Sequence, residues 1–142
     1  MTDVFKVLSI DGGGIRGVLP AMVLAEIEER AGRPAAERFD LIVGSSTGGI
    51  LALGLTMAGD DGKPRYAAEK LIGLYEEEGS RIFSDRAGPI RSVFEERYPY
   101  RGVEEVLGEY FGEVRLKEAL TWVFVTSYEI QLRAPFFRSE RA

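Results

Sequence analysis

Hydrophobic residues fall into short runs and helical stripes separated by glycine-rich turns. Two runs, 4–10 and 39–43, are rich in β-branched and aromatic residues and stop at such turns, which predicts buried strands. From Val18 onward, apolar residues recur at helical spacing and ought to face the core, opposite a charged face. The apolar stripe is Leu19, Met22, Val23 and Ile27, and the charged face is Glu26, Glu28, Glu29 and Arg30. Gly32 and Pro34 then end this helix.

The order strand, glycine turn and helix occurs twice, and this repetition predicts parallel strands joined by crossovers. The second helix, around 50–57, is apolar with small residues throughout, which is typical of a helix buried on nearly every side. The expected fold is therefore α/β, a layered parallel sheet with helices on both faces. The later elements expected are an exposed turn at 60–64, a helix at 67–78, a long loop at 84–101, a helix at 103–111, a third strand at 122–128 and a fourth beginning at 136–137.

The last residues still have the pattern of a strand, and three or four strands are few for a sheet covered on both sides. We therefore expect residues 1–142 to be the N-terminal portion of one domain, incomplete at its C-terminus. Trp122, Phe124, Phe136 and Phe137 favour core positions. If the rest of the domain is missing, some of them become exposed, and we expect self-association.

The absence of two residue types excludes several functions. There is no Cys and no His, so disulfides, thiol nucleophiles, Cys-ligated metals and a Ser-His-Asp triad are ruled out. The net charge of −5 argues against sequence-independent nucleic-acid binding, which needs clustered Lys and Arg. No signal peptide and no membrane-length apolar run is present, so a cytoplasmic protein without a cofactor, with at most peripheral membrane contact, is expected.

The first turn, Gly12-Gly13-Gly14-Ile15-Arg16-Gly17, lies between a strand and a helix start. The glycines leave the main-chain amides of this turn accessible next to a helix N-terminus, and this pattern predicts an anion-binding site. The pattern matches the dinucleotide fingerprint, but no acidic residue ends the second strand, which argues against NAD. A P-loop is excluded because no Gly-Lys-Ser/Thr follows. A purely structural turn is the alternative.

The second turn, Gly44-Ser45-Ser46-Thr47-Gly48, is a G-x-S-x-G at a predicted strand-to-helix corner. This arrangement is typical of a nucleophile elbow with an exposed central serine, here Ser46. The alternative is a helix start with Ser46 as its N-cap. Adjacent parallel strands place both turns at the same sheet edge. Ser46 would then supply a hydroxyl for acyl transfer, and the amides around Gly13 and Gly14 an oxyanion hole.

These two motifs resemble those of the patatin-like phospholipases, and weaker likeness extends to residues 136–139. The resemblance implies a lipid acyl hydrolase, active in lipid degradation, with a Ser–Asp dyad and a lipid or ester substrate. It assigns Ser46 as the nucleophile, Gly12, Gly13 and Gly14 to the oxyanion hole, and Gly44 and Gly48 to the elbow. Arg16 could contact an anionic head group or form a structural ion pair.

The family's catalytic Asp belongs to a downstream Asp-Gly-Gly/Ala motif that has no counterpart in this chain. The stretch that carries it is expected just after Ala142. Asp40 and Lys6 are the first substitutes to consider if the chain alone hydrolyses esters. Two alternatives to an active hydrolase remain open. One is a non-catalytic phosphate- or nucleotide-binding module, and the other is an inactive truncated fragment.

Overall fold

In the part of the chain that the structure describes, four strands form one sheet and lie side by side in the order in which they occur along the chain. The computed structural model describes residues 4–79, 82, 100–129 and 134–140. The strands are β1 (Val7–Ile10), β2 (Leu41–Ser45), β3 (Trp122–Glu129) and β4 (Ala134–Glu140). The helices in the described ranges are α1 (Val18–Ala31), α2 (Thr47–Thr56), α3 (Ala68–Glu76) and α4 (Tyr100–Phe111), with 3₁₀ turns at Gly14–Gly17, Ala35–Glu37 and Leu116–Glu118.

The first three strands are parallel, and β4 runs antiparallel to β3. Ile10 pairs with Gly44, and Gly44 pairs with Val125. The carboxyl ends of β1 and β2, where the two glycine turns begin, therefore lie side by side. The predicted α/β fold and the predicted fourth strand are both confirmed.

Helices pack on one face of the sheet in the part of the chain that is described, whereas the sequence predicted helices on both faces. Ile10, Ile42 and Val123 point to this face and share one core cluster with residues of all four helices. On the opposite face Val7 is 51% exposed and Trp122 is 38% exposed. The reason is topological: right-handed crossovers between strands in the simple order 1-2-3 place every connecting helix on the same side.

Helix α1 buries a stripe that shares only Ile27, which is partly buried against the core, with the one predicted. Ala21 and Leu24 are buried, while Leu19 is 60% exposed, Met22 52% and Val23 59%. Helix α2 already covers the sheet, so α1 packs mainly against α3, and the small Ala21 side chain permits a close approach. Because α1 is apolar around much of its circumference, spacing alone could not identify the buried side.

Most other elements agree with the sequence. Eight of the ten residues of α2 are buried, as predicted for a central helix. Gly32 and Gly112 end α1 and α4 with φ of 60° and 56°, a left-handed conformation that glycine adopts readily. Two expectations need correction: Val7 shows that β1 is buried on one face only, and Arg101 belongs to α4 rather than to a loop. The rest of the expected 84–101 loop, except Tyr100, lies outside the described residues, as do the side chains of Phe136 and Phe137.

Candidate active site

Ser46 occupies a sharp corner between β2 and α2. Its backbone has φ 51° and ψ −124°, and it is the one non-glycine residue with positive φ in the described ranges. A side chain in this region stores about 1–3 kcal/mol of strain. Ser46 is also the N-cap residue of α2, yet its hydroxyl makes no capping hydrogen bond, and the residue is exposed. The corner therefore presents a hydroxyl that is not used by the helix.

Gly44 and Gly48 make this corner sterically feasible. A Cβ atom at Gly44 would overlap the carbonyl oxygen of Gly48, and one at Gly48 would overlap the carbonyl oxygen of Ile10. Both overlaps involve backbone atoms, which cannot move aside as a flexible side chain can. Any residue with a side chain at either position would force β1, β2 and α2 apart.

The first glycine turn lies directly against the elbow. A Cβ built on Gly12 would lie 2.7 Å from the Cβ of Ser46. The amide of Gly12 donates a hydrogen bond to Ser45 Oγ at 3.0 Å, and the amide of Gly13 donates to Thr47 Oγ1 at 3.2 Å. The two side chains that flank Ser46 in sequence thus hold the loop beside its hydroxyl.

Gly14 differs from the other two loop glycines. It has φ 60°, and a Cβ there would meet nothing within 4 Å. As the first residue of a 3₁₀ turn, it has an amide without an intrahelical partner, and no bond from this amide to another described residue occurs. Of the three glycines assigned to an oxyanion hole, Gly14 is the one whose amide donates to none of the described residues.

Arg16 lies exposed on the same turn. Its Nε donates to the carbonyl oxygen of Gly13 at 3.3 Å, and it forms no ion pair with any residue of the described ranges. The guanidinium group is therefore tethered to the loop through one nitrogen and keeps its remaining donors.

Tyr75 connects the two turns, and sequence reasoning did not foresee this role. A Cβ on Gly17, at the end of the glycine loop, would overlap the Tyr75 ring. The Tyr75 hydroxyl donates to the carbonyl oxygen of Thr47 at 2.9 Å. Burial raises the pKa of this hydroxyl to about 12, so it remains a donor at neutral pH. Tyr75 belongs to the helix predicted at 67–78, but helical periodicity carries no information about which carbonyl oxygen its hydroxyl reaches.

The substitute bases considered from sequence are far from Ser46. The backbone amide of Lys6 donates to Asp40 Oδ2 at 2.7 Å, and both residues precede their strands. Asp40 and Ser46 lie at opposite ends of β2, about 20 Å apart at the usual rise of a strand. Neither Asp40 nor Lys6 can therefore act on Ser46. Asp11, which begins the glycine loop, is exposed.

Comparison with known proteins identifies the family of this chain. The model of the patatin-like phospholipase family matches residues 8–138. The chain belongs to the patatin-like phospholipase family. The match includes both glycine turns, Tyr75 and the whole of β2 and β3.

Plant patatins are similar along almost the whole chain. Patatin-07 of Solanum tuberosum is 35% identical over 142 residues, covering 95% of this chain and 36% of the relative. A second protein from that plant, named Patatin, is 36% identical over 140 residues, covering 94% and 35%. Patatin-17 of Solanum cardiophyllum is 35% identical over 140 residues, with the same coverage. The patatin-like chain thus spans roughly a third of the length of these relatives.

In the described part of this patatin-like chain, no helix is both long enough and apolar enough to cross a bilayer.

Proposed function

We propose that this chain carries the nucleophile and oxyanion-binding part of a lipid acyl hydrolase, with Ser46 as the nucleophile. The observation that carries the proposal is the state of Ser46. Its hydroxyl is exposed and makes no capping bond, although its backbone is held in a strained conformation. A serine that served only to start the helix would use its oxygen to accept an amide hydrogen.

In the proposed reaction, Ser46 Oγ attacks the carbonyl carbon of a lipid ester and loses its proton to a general base. The resulting oxyanion accepts hydrogen bonds from the amide of Gly14 and from that of Thr47, the residue after the nucleophile. The intermediate collapses, the alcohol leaves with a proton, and water later hydrolyses the acyl-serine. The N-terminus of α2 adds a favourable dipole for the negative charge.

Gly12 and Gly13 have a different part in this proposal. Their amides already donate to Ser45 and Thr47, so they fix the loop, while Gly14 is the principal donor of that loop to the oxyanion. Arg16 supplies a positive charge close to the loop, suited to the phosphate of a phospholipid head group.

The described residues supply no general base for Ser46. No carboxylate of the described residues bonds to Ser46, and Asp40 lies at the far edge of the sheet. An unassisted serine is a weak nucleophile. We therefore expect this chain to react with highly activated acylating or phosphonylating reagents and to turn over p-nitrophenyl esters very slowly.

A fluorophosphonate probe tests the proposal directly. We expect it to label the 142-residue chain at Ser46, as located by peptide mapping, and to leave Ser46→Ala unlabelled. Ser9→Ala is the matched control, since Ser9 is also exposed but lies on β1, and it should label normally. Equal labelling of Ser46→Ala and the parent chain would refute the assignment.

The same amides could instead bind a phosphate group without catalysis. Calorimetry with ATP, NAD and acidic phospholipid vesicles separates the two functions. Nucleotide binding together with absent labelling would favour the binding module over the hydrolase.

A further inference from the structure

Tyr75 contacts both halves of the candidate site from the core side. Its hydroxyl bonds to the carbonyl oxygen of Thr47, the first residue after the nucleophile. Its ring closes against the position where Gly17 lacks a Cβ, at the end of the glycine loop. These contacts join α3, the elbow and the loop at a single buried residue, which is 1% exposed.

The direction of the hydrogen bond matters for the proposed chemistry. The carbonyl group of Thr47 belongs to the first turn of α2, whose amides point the opposite way, toward the site. Holding that carbonyl fixes the orientation of the first turn and thus of the Thr47 amide. The ring meanwhile sets how closely the loop approaches, since Gly17 follows Gly14 by a single 3₁₀ turn.

We propose that Tyr75 is a positioning residue that keeps the elbow and the glycine loop in register, so that the Gly14 and Thr47 amides converge on one oxyanion. This inference rests on the proposed function, because convergence matters only if an oxyanion forms beside Ser46. Tyr75 itself is buried behind the elbow and does not contact the substrate.

Tyr75→Phe removes the hydroxyl and keeps the ring, and Tyr66→Phe is its matched control. Tyr66 also donates its hydroxyl to a main-chain carbonyl, that of Tyr110, at 2.7 Å, but it links α4 to the segment before α3. The two variants lose the same type of bond. A merely structural role for Tyr75 would make them behave alike.

The measurement is fluorophosphonate labelling of Ser46, resolved into the maximal rate of reaction and the half-saturating probe concentration. Both variants are assayed well below their unfolding temperatures. Misplaced catalytic groups can lose up to about 100-fold in rate, so we expect about a tenfold lower maximal rate in Tyr75→Phe. The half-saturating concentration should stay within about twofold, and Tyr66→Phe should match the parent chain. An unchanged rate in Tyr75→Phe, or an equal fall in Tyr66→Phe, overturns the inference.

A second pair of variants covers the case in which Tyr75→Phe fails to fold. Gly17→Ala retains the hydroxyl and displaces the ring, and it should also slow labelling. Its control is Gly54→Ala, whose Cβ would press on the Leu71 side chain, in the core and away from the site. Slowing by Gly17→Ala and not by Gly54→Ala supports the inference, and equal effects contradict it.

Failure of the proposed function gives a distinct result. If the parent chain is not labelled at Ser46, the hydrolase proposal fails. Hydrogen–deuterium exchange then tests whether Tyr75 holds the elbow and the glycine loop in place relative to each other. Amides of residues 12–17 and 46–50 should exchange faster in Tyr75→Phe than in Tyr66→Phe. Identical exchange in the two variants would remove the positioning role as well.

Discussion

Replacing Ser46 by glycine should make the protein more stable, whereas replacing it by alanine should not. Alanine keeps the Cβ and so retains the cost of φ 51°, which for a non-glycine residue is about 1–3 kcal/mol. Glycine removes that cost but adds about 0.4–1 kcal/mol through the greater entropy of its unfolded chain. The net difference should be about 1 kcal/mol in favour of Ser46→Gly.

No hydrogen bond complicates this comparison, because the Ser46 hydroxyl makes no capping bond. Both substitutions remove the same hydroxyl, so the difference between them reports the backbone alone. For a chain of this length, 1 kcal/mol corresponds to about 2–4 °C in the unfolding midpoint. Urea titration and thermal unfolding followed by circular dichroism both measure it.

Two results bear on the reasoning. A Ser46→Gly protein that is less stable than Ser46→Ala would show that the corner is not strained, and the argument for a nucleophile elbow would lose its main support. The expected order, glycine above serine and alanine, would mean that stability is sacrificed at this position for exposure of the hydroxyl.

Three further predictions follow from the glycine contacts and from Tyr75. Gly12→Ala should strongly destabilise the fold because its Cβ would meet Ser45 O and Ser46 Cβ at 2.7 Å. Gly108→Ala, in open space on α4, should instead stabilise it by about 0.5–1 kcal/mol, and the urea midpoints of the two variants test this contrast. Gly14 and Gly32 both have φ 60° and open space around the missing Cβ, so alanine at either position should lower the free energy of unfolding by about 1 kcal/mol. Only Gly14→Ala should also slow probe labelling, because only Gly14 belongs to the glycine loop beside Ser46. Between pH 10 and about 12, Tyr75 loses its proton in the unfolded chain but keeps it in the folded protein. The free energy of unfolding should therefore fall with rising pH by about 2–3 kcal/mol. An equally steep fall in Tyr75→Phe would contradict the assignment of this pH dependence to Tyr75.

Much of the fold could be predicted because its signals are local. A run of β-branched residues that stops at glycines identifies a strand and a turn, and the parallel order follows from alternation with helices. The elbow was predictable for the same reason, since Gly44 and Gly48 meet atoms only a few residues away or on the neighbouring strand. These features need little knowledge of the rest of the molecule.

The side of each element that is buried was harder to predict. Leu19, Met22 and Val23 form a regular stripe, yet Ala21 and Leu24 are the residues of α1 that are fully buried. That choice depends on α2 already occupying the sheet face, which is a property of the topology rather than of α1. The placement of helices on a single face also depends on strand order, which cannot be inferred from the sequence of any one segment.

Contacts across long separations in sequence were likewise beyond prediction. The hydrogen bonds of Gly12 and Gly13 to the elbow side chains span 33 and 34 residues, and that of Tyr75 spans 28. Serine, threonine and tyrosine can each bond to many partners, so their identity alone does not select one. Only these contacts distinguish Gly14 from Gly12 and Gly13 as the proposed oxyanion donor, because they show that the other two amides already have partners.

The bonds from the loop amides to Ser45 and Thr47 limit how these segments can be exchanged between proteins. The variable positions of a G-x-S-x-G pattern are usually free to differ, but here each carries a hydroxyl that the neighbouring loop requires. A chimaera that receives this corner without residues 12–17, or a library that randomises positions 45 and 47, would lose the hydrogen bonds between loop and corner while keeping Ser46. The two turns are therefore best transplanted as a single unit.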